Sequence, residues 1–143
     1  MYNIVEGYSD DFYQEIIDLV ETILLEEGLD NEEISVILTD EEEITRLNSE
    51  YAGVEGNTDV LSFDFNEEEL KYVEGEIYIN TTIAELQAQQ RSISEEEEIL
   101  NLVAHGVLHL CKYDHQTEGE YLEMLKRGSR YVSRVLLRNQ FGH

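Results

Sequence analysis

The chain has little positive charge. Nine Lys and Arg stand against 33 Asp and Glu in 143 residues, a formal net charge of −24. A surface of that sign repels nucleic acid as a whole and favours solubility. A single cysteine, Cys111, excludes an internal disulfide framework and agrees with a reducing compartment. Proline is absent, which is unusual at this length and fits either a compositionally biased or an engineered sequence. No apolar run is long enough to span a bilayer, and Met1, Tyr2 and Asn3 open no basic region followed by an apolar stretch. A cytoplasmic protein with no membrane partner is expected. The length predicts one domain over residues 1–143 with a core of its own.

The charge is unevenly spread. Residues 1–111 are net −26, whereas residues 112–138 carry six basic residues against four acids, net +2. A polyanion would have to approach from the carboxyl-terminal side. The glutamate runs Glu41–Glu43, Glu67–Glu69 and Glu95–Glu98 sit at expected helix starts or a turn, and read as solvated segments.

Periodicity predicts a strand over 2–6 and a helix over 10–27, with Phe12, Ile16, Leu19, Val20, Ile23 and Leu24 on one face and Gly28 as its stop. Ile34, Val36 and Leu38 alternate with polar residues as in a strand. Thr39 or Asp40 caps a helix to about Tyr51. Gly53 and Gly56 mark a loop. Val60–Phe65 and Tyr72–Asn80 read as an antiparallel strand pair. A short helix follows over 81–91, and Ser94 with Glu97 forms a capping box for the next helix. A last helix over 118–139 has Leu122, Leu125, Ser129, Val132 and Leu136 on one stripe and Arg127, Arg130, Arg134 and Arg138 nearly opposite. The fold class is therefore α+β, layered, with a small mixed sheet of about four strands and about five helices.

The chemistry concentrates in one segment. Three of the four histidines, His105, His109 and His115, fall within eleven residues. His105 and His109 are four apart, so on a helix both imidazoles leave one face. His115 joins them if the chain turns back after the helix. Three imidazoles with a fourth position open make the ligand set of a catalytic zinc site, one Zn2+ per chain, held on a helix and the turn after it. Asp114 orients a ligand imidazole or caps the turn. Cys111, about 200° round the helix from His109, packs rather than ligates, and Met124 belongs to the core. The spacing is similar to the metzincin pattern H-E-x-x-H-x-x-G-x-x-H. Gly106, however, stands where the protease has its glutamate, and Lys112 where it has its turn glycine. Peptide hydrolysis by that route is not expected.

The segment and its surroundings resemble a second family more fully. His105, Gly106, Leu108, His109, Leu110, Tyr113, Asp114 and His115 match the H-G-x-L-H-L-x-G-Y-D-H of the YbeY family. Leu47-Asn48, Tyr51 and Thr58-Asp59-Val60-Leu61-Ser62-Phe63 resemble its L-N-x-x-Y-R…P-T-D-V-L-S-F-P, and Gly75-Glu76-Ile77 resembles its G-D-I. The blocks agree in order and spacing from about residue 35 to 125. Ala52 stands for the arginine after the tyrosine, Lys112 for the turn glycine, Asn57 and Asp64 for two prolines, and Glu76 for an aspartate. The resemblance implies an α/β fold with zinc held by His105, His109 and His115. It also implies single-strand endoribonuclease activity in the cytoplasm, in maturation of the 3′ end of small-subunit rRNA and in ribosome quality control. Partners would be rRNA and the small subunit or its assembly factors, with no DNA expected.

Metal-assisted phosphodiester hydrolysis is the expected reaction, with Asp59, Ser62 and Asp114 as candidate catalytic groups. Asp59 read alone is equally a cap before its strand. Arg127, Arg130, Arg134 and Arg138 are candidate phosphate contacts, or a solvated face paired with the acidic surface. Two alternatives stand beside the nuclease: a non-catalytic ribosome-assembly factor with a structural zinc site, and a metal-dependent hydrolase of another substrate.

Overall fold

The computed structural model describes residues 8–51, 58–64, 72–111 and 117–141. The strand expected over 2–6, the loop at Gly53 and Gly56, and the turn at Glu67–Glu69 lie outside them. In chain order the elements are α1 (Asp10–Glu26), β1 (Asp30–Thr39), α2 (Glu41–Tyr51), β2 (Val60–Asp64), β3 (Tyr72–Asn80), α3 (Thr81–Arg91), α4 (Glu95–Leu110) and α5 (Glu118–Phe141). The described sheet has three strands in the order β1-β3-β2, rather than about four. β3 runs parallel to β1 and, as the sequence predicts, antiparallel to β2.

Local chemistry places the helix ends. The Ser9 hydroxyl accepts from the Phe12 amide at 3.2 Å and opens α1. Gly28, at φ 74°, closes it. Asp40 rather than Thr39 caps α2, its Oδ1 accepting from the Glu43 amide at 2.9 Å. Ser94 opens α4 by accepting from the Glu97 amide at 3.0 Å. α3 and α4 are joined by three residues only, Ser92 to Ser94, with Ser92 in the left-handed region at φ 58°.

Strand alternation buries Ile34, Val36 and Leu38 of β1 and Ile77 and Ile79 of β3 on one face. α4 lies against that face and also touches α1, α3, α5 and β2. It is buried almost all round through Ile99, Leu100, Leu102, Val103, Ala104, Val107, Leu108 and Leu110. From Glu98 onward its polar residues therefore form one narrow stripe. Glu98, Asn101, His105 and His109 recur at steps of three and four, which keeps them in line on a 3.6-residue helix.

Two expectations need correction. Glu98 is not solvated: it is 0% exposed, because it lies two turns before His105 on the face that meets the rest of the molecule. The buried stripe of α5 runs through Met124, Gly128, Tyr131, Val132 and Val135, while Leu122 is 48% exposed and Ser129 is exposed. Gly128 lies on this stripe against α4: a Cβ there would lie 3.3 Å from His105 Cδ2 and 3.4 Å from Ala104 Cβ, so a methyl would need the imidazole to give by a few tenths of an ångström.

Candidate metal centre

His105 and His109 leave α4 toward the same cavity, of about 270 Å³, which is lined by Asp59, Val60, Leu61, Ser62, Gly106, Tyr121 and Met124 as well. Three separate segments meet here: the entrance to β2, the carboxyl-terminal half of α4, and the first turns of α5. The register explains why Ser62 takes part. Ser62 pairs with Ile77 and so points to the face of the sheet that α4 covers. Ile77 itself is fully buried beneath Gly106.

Gly106 packs directly against the sheet. A Cβ on it would come within 2.6 Å of Ile77 Cγ2 and 3.2 Å of Ile77 Cδ1. The space a protease glutamate would need between the two histidines is already filled by the sheet. The absence of that carboxylate, noted in the sequence, is thus a packing requirement of this fold.

Asp59 is positioned from two sides. Its carbonyl accepts from the Asn80 amide at 2.9 Å. Its Oδ2 accepts from Gln87 Nε2 of α3 at 3.3 Å. Asn80 is fully buried, donates Nδ2–H to the Thr58 carbonyl at 3.1 Å, and caps α3 by accepting from the Ile83 amide at 3.1 Å. One asparagine therefore ties the strand entrance that carries Asp59 to the helix that carries Gln87. Asn80 and Gln87 had no signal in the sequence beyond an asparagine before a helix. Tyr121 and Met124 had none, and Met124 lines the cavity from its position in the core.

Burial holds the His105 imidazole below its ordinary pKa. The Asp59 carboxylate pulls it up and the Arg91 guanidinium adds to the depression. The net result favours the neutral imidazole at neutral pH, which is the form that binds metal. His109 is exposed at the mouth of the same cavity. The two imidazoles on one helix face, with a carboxylate close enough to act on the first, suit a divalent metal with a preference for nitrogen donors. His115, Asp114 and Lys112 lie outside the described residues, as does Ala52. Among the described residues no three His, Cys, Asp or Glu gather into a metal-holding group. His105 and His109 supply two donors of the expected three. Cys111 is buried, as expected, at the end of α4.

The four candidate arginines of α5 all have partners within the chain. Arg127 pairs with Glu27 at 3.3 Å, Arg134 with Glu26 at 3.0 Å and Arg130 with Glu123 at 3.5 Å, while Arg138 donates to the Thr22 hydroxyl at 3.0 Å. Two of these contacts reach α1 and a third its C-cap residue Glu27, to which Tyr131 also donates at 2.6 Å. Arg130 and Arg134 also line an open groove along α5 with Lys126, Ser129, Ser133 and Leu137. No described helix is long and apolar enough to cross a membrane.

A family model described as Endoribonuclease YbeY matches residues 4–135. A protein named Endoribonuclease YbeY from Sulfurihydrogenibium sp. (strain YO3AOP1) is 42% identical over 118 residues, 80% of this chain and 78% of that protein. Another of that name, from Thermotoga maritima, is 36% identical over 131 residues, 91% of this chain and 85% of that protein. The solution structure of TM1509 from Thermotoga maritima superposes with a TM-score of 0.70 at 34% identity, covering 98% of this chain and 92% of that one.

Proposed function

The chain belongs to the YbeY family, and on that premise we propose that it is a metal-dependent, single-strand-specific endoribonuclease. Its place would be maturation of the 3′ end of small-subunit rRNA and ribosome quality control, in the cytoplasm, with rRNA and the small subunit or its assembly factors as partners. The observation that carries the reading is the cavity into which His105 and His109 open together beside Asp59 and Ser62. That these relatives are named endoribonucleases supports the choice of RNA as substrate.

His105, His109 and His115 would hold one zinc ion. When bound, zinc supplies Lewis acidity and a water acidified toward a pKa of about 7. The other tasks fall to the chain's own groups. Burial keeps His105 neutral and available as a donor. Asp59, fixed by Gln87 and by its own backbone, stands ready to accept a proton. The Ser62 hydroxyl lines the same cavity and can donate to a phosphoryl oxygen. Asp114 would orient a ligand imidazole. The α5 groove with Arg130 and Arg134 offers a second surface for the RNA backbone, if phosphate displaces their carboxylate partners.

The test uses tag-free protein beside its His109→Ala variant. Metal is measured by inductively coupled plasma mass spectrometry, and cleavage is followed on a single-stranded RNA. About one zinc per chain with cleavage, both lost in the variant and cleavage lost on chelation, is the expected result. Zinc without cleavage would move the protein to the assembly-factor reading, which the internally paired arginines of α5 favour. Absence of zinc from the parent protein, even after it is supplied, would refute the metal site.

A further inference from the structure

Arg91 and Glu98 face each other across the three-residue connection between α3 and α4. Arg91 Nη1 donates to Glu98 Oε1 at 3.1 Å. The two side chains differ sharply in setting: Glu98 is 1% exposed and Arg91 is 55% exposed. Asn101 Nδ2 donates to the same Glu98 oxygen at 3.3 Å, while Oε2 is buried with no hydrogen-bond partner among the described residues. A buried carboxylate held on this pattern needs a cation beside it. The cation it holds keeps most of its surface in water.

The position of that cation relates to the cavity from both helices. On α4, Glu98 heads the stripe that continues through Asn101 to His105 and His109. On α3, Arg91 is one turn beyond Gln87, and residues four apart share a helix face. Gln87 is the residue that holds the Asp59 carboxylate. Arg91 does not itself line the cavity: it stands one turn along α3 from the residue that holds Asp59, and its partner Glu98 stands two turns along α4 from His105. Arg46 pairs along α2 with Glu43 and Glu50, and Arg127, Arg130 and Arg134 of α5 pair with Glu27, Glu123 and Glu26, none of which, among the described residues, lines the cavity or bonds a residue that does.

We propose that Arg91, tethered by the buried Glu98 carboxylate, is the anchor for a backbone phosphate of single-stranded RNA next to the phosphate that reacts. This rests on the endoribonuclease reading and names how a chain of net charge −24 holds a polyanion at that site. Glu98 occupies one donor of a guanidinium that has five. The rest can take a phosphate in the forked geometry that arginine favours. Tethering removes the rotamer entropy that an arginine otherwise loses on contact. Arg91 is a binding and positioning residue, and it takes no part in bond breaking.

Binding of a fluorescent oligouridylate is measured against salt for the parent, Arg91→Gln, Arg91→Lys and Glu98→Leu, together with KM and kcat for its cleavage. Arg91→Gln should weaken binding about tenfold, as loss of one charge-assisted contact does. It should also reduce the slope of log K on log salt by about 0.7, the value for one phosphate on a single strand. KM should rise with kcat held, because the contact is the same before and during reaction. Arg91→Lys should keep the salt slope and lose part of the affinity. Glu98→Leu removes a negative charge, which alone would tighten RNA binding, yet it should weaken binding because the guanidinium is released. It also keeps the core apolar, so it guards against misfolding of a variant that leaves Glu98 unpaired. Parent binding with Arg91→Gln within twofold in affinity and slope would overturn the role of Arg91 alone. A parent that neither binds nor cleaves the oligonucleotide would overturn the endoribonuclease reading together with it.

Discussion

Gly106→Ala is the substitution for which the structure gives the sharpest sign. In an exposed helix interior, replacing glycine by alanine stabilises by about 1 kcal/mol, through backbone entropy and helix propensity. At Gly106 the new methyl would sit 2.6 Å from Ile77 Cγ2, and Ile77 is 0% exposed, with neighbours on all sides. Cγ2 is bound to the Cβ, close to the strand backbone, so it cannot swing away as a side-chain tip can. Overpacking of a filled core costs about 1–3 kcal/mol. Set against the propensity gain, the net loss should be about 0–2 kcal/mol, with α4 lifted from β3. The decisive measurement is a cycle with Ile77→Ala, which alone should cost about 2–5 kcal/mol. In that background the alanine methyl at 106 enters space instead of a side chain, so Gly106→Ala should become stabilising by about 1 kcal/mol. Urea unfolding of the four proteins gives the coupling directly. Stabilisation by Gly106→Ala in the parent background, equal to that in the Ile77→Ala background, would refute the close contact. It would also remove the reason given for the missing carboxylate between the two histidines.

Two further outcomes follow from contacts described above. Replacing Arg127, Arg130, Arg134 and Arg138 together by Gln should weaken RNA binding and flatten its salt slope by up to about 3; the loss of the exposed Arg134–Glu26 pair should cost about 1 kcal/mol or less. Unchanged affinity and slope would remove α5 from the RNA surface. Burial pushes the Cys111 thiol up to about 12, and burial with the Glu27 contact pushes Tyr131 up to about 12. Both groups are raised in the folded state. Their contribution is complete below the unfolded values of 9.0 and 10.0 and is lost as pH climbs to about 12. Urea midpoints should therefore fall between pH 9 and pH 11, and iodoacetamide at pH 8.5 should label Cys111 only as urea unfolds the chain. Labelling of the native protein at the rate of a small thiol would contradict this burial.

The pair His105 and His109 was legible because helical geometry alone fixes residues four apart on one face. Helix starts were legible where Asp40 and Ser94 each supply a side-chain acceptor, whereas the Ser9 cap of α1 was seen only in the structure. The phase of α5 was not. Gly128 carries no side chain to register in a hydrophobic pattern, yet it marks the contact with α4, whereas Leu122 carries the pattern and faces water. Glu98 was hidden for a related reason. It is the fourth of four identical residues, and only tertiary packing separates it from Glu96, which is exposed, and from Glu95 and Glu97, which are half-buried. Asp59 was placed correctly at the mouth of β2, but its partner Gln87 is 28 residues away and no local pattern joins them.

The strand order β1-β3-β2 also implies an order of events in folding. β2 and β3 meet first at Asp64 and Gly75, eleven residues apart, whereas the parallel pairing of β1 begins with Asp30 and Tyr72, forty-two apart. Two doublings of loop length add about 1 kcal/mol to closure, and distant pairings are the slow ones. The hairpin, α3 and α4 can therefore assemble from one continuous stretch of chain, and β1 docks on an edge that already exists. The scaffold under His105 and His109 would then be among the first parts to form during synthesis, with the amino-terminal forty residues waiting for it.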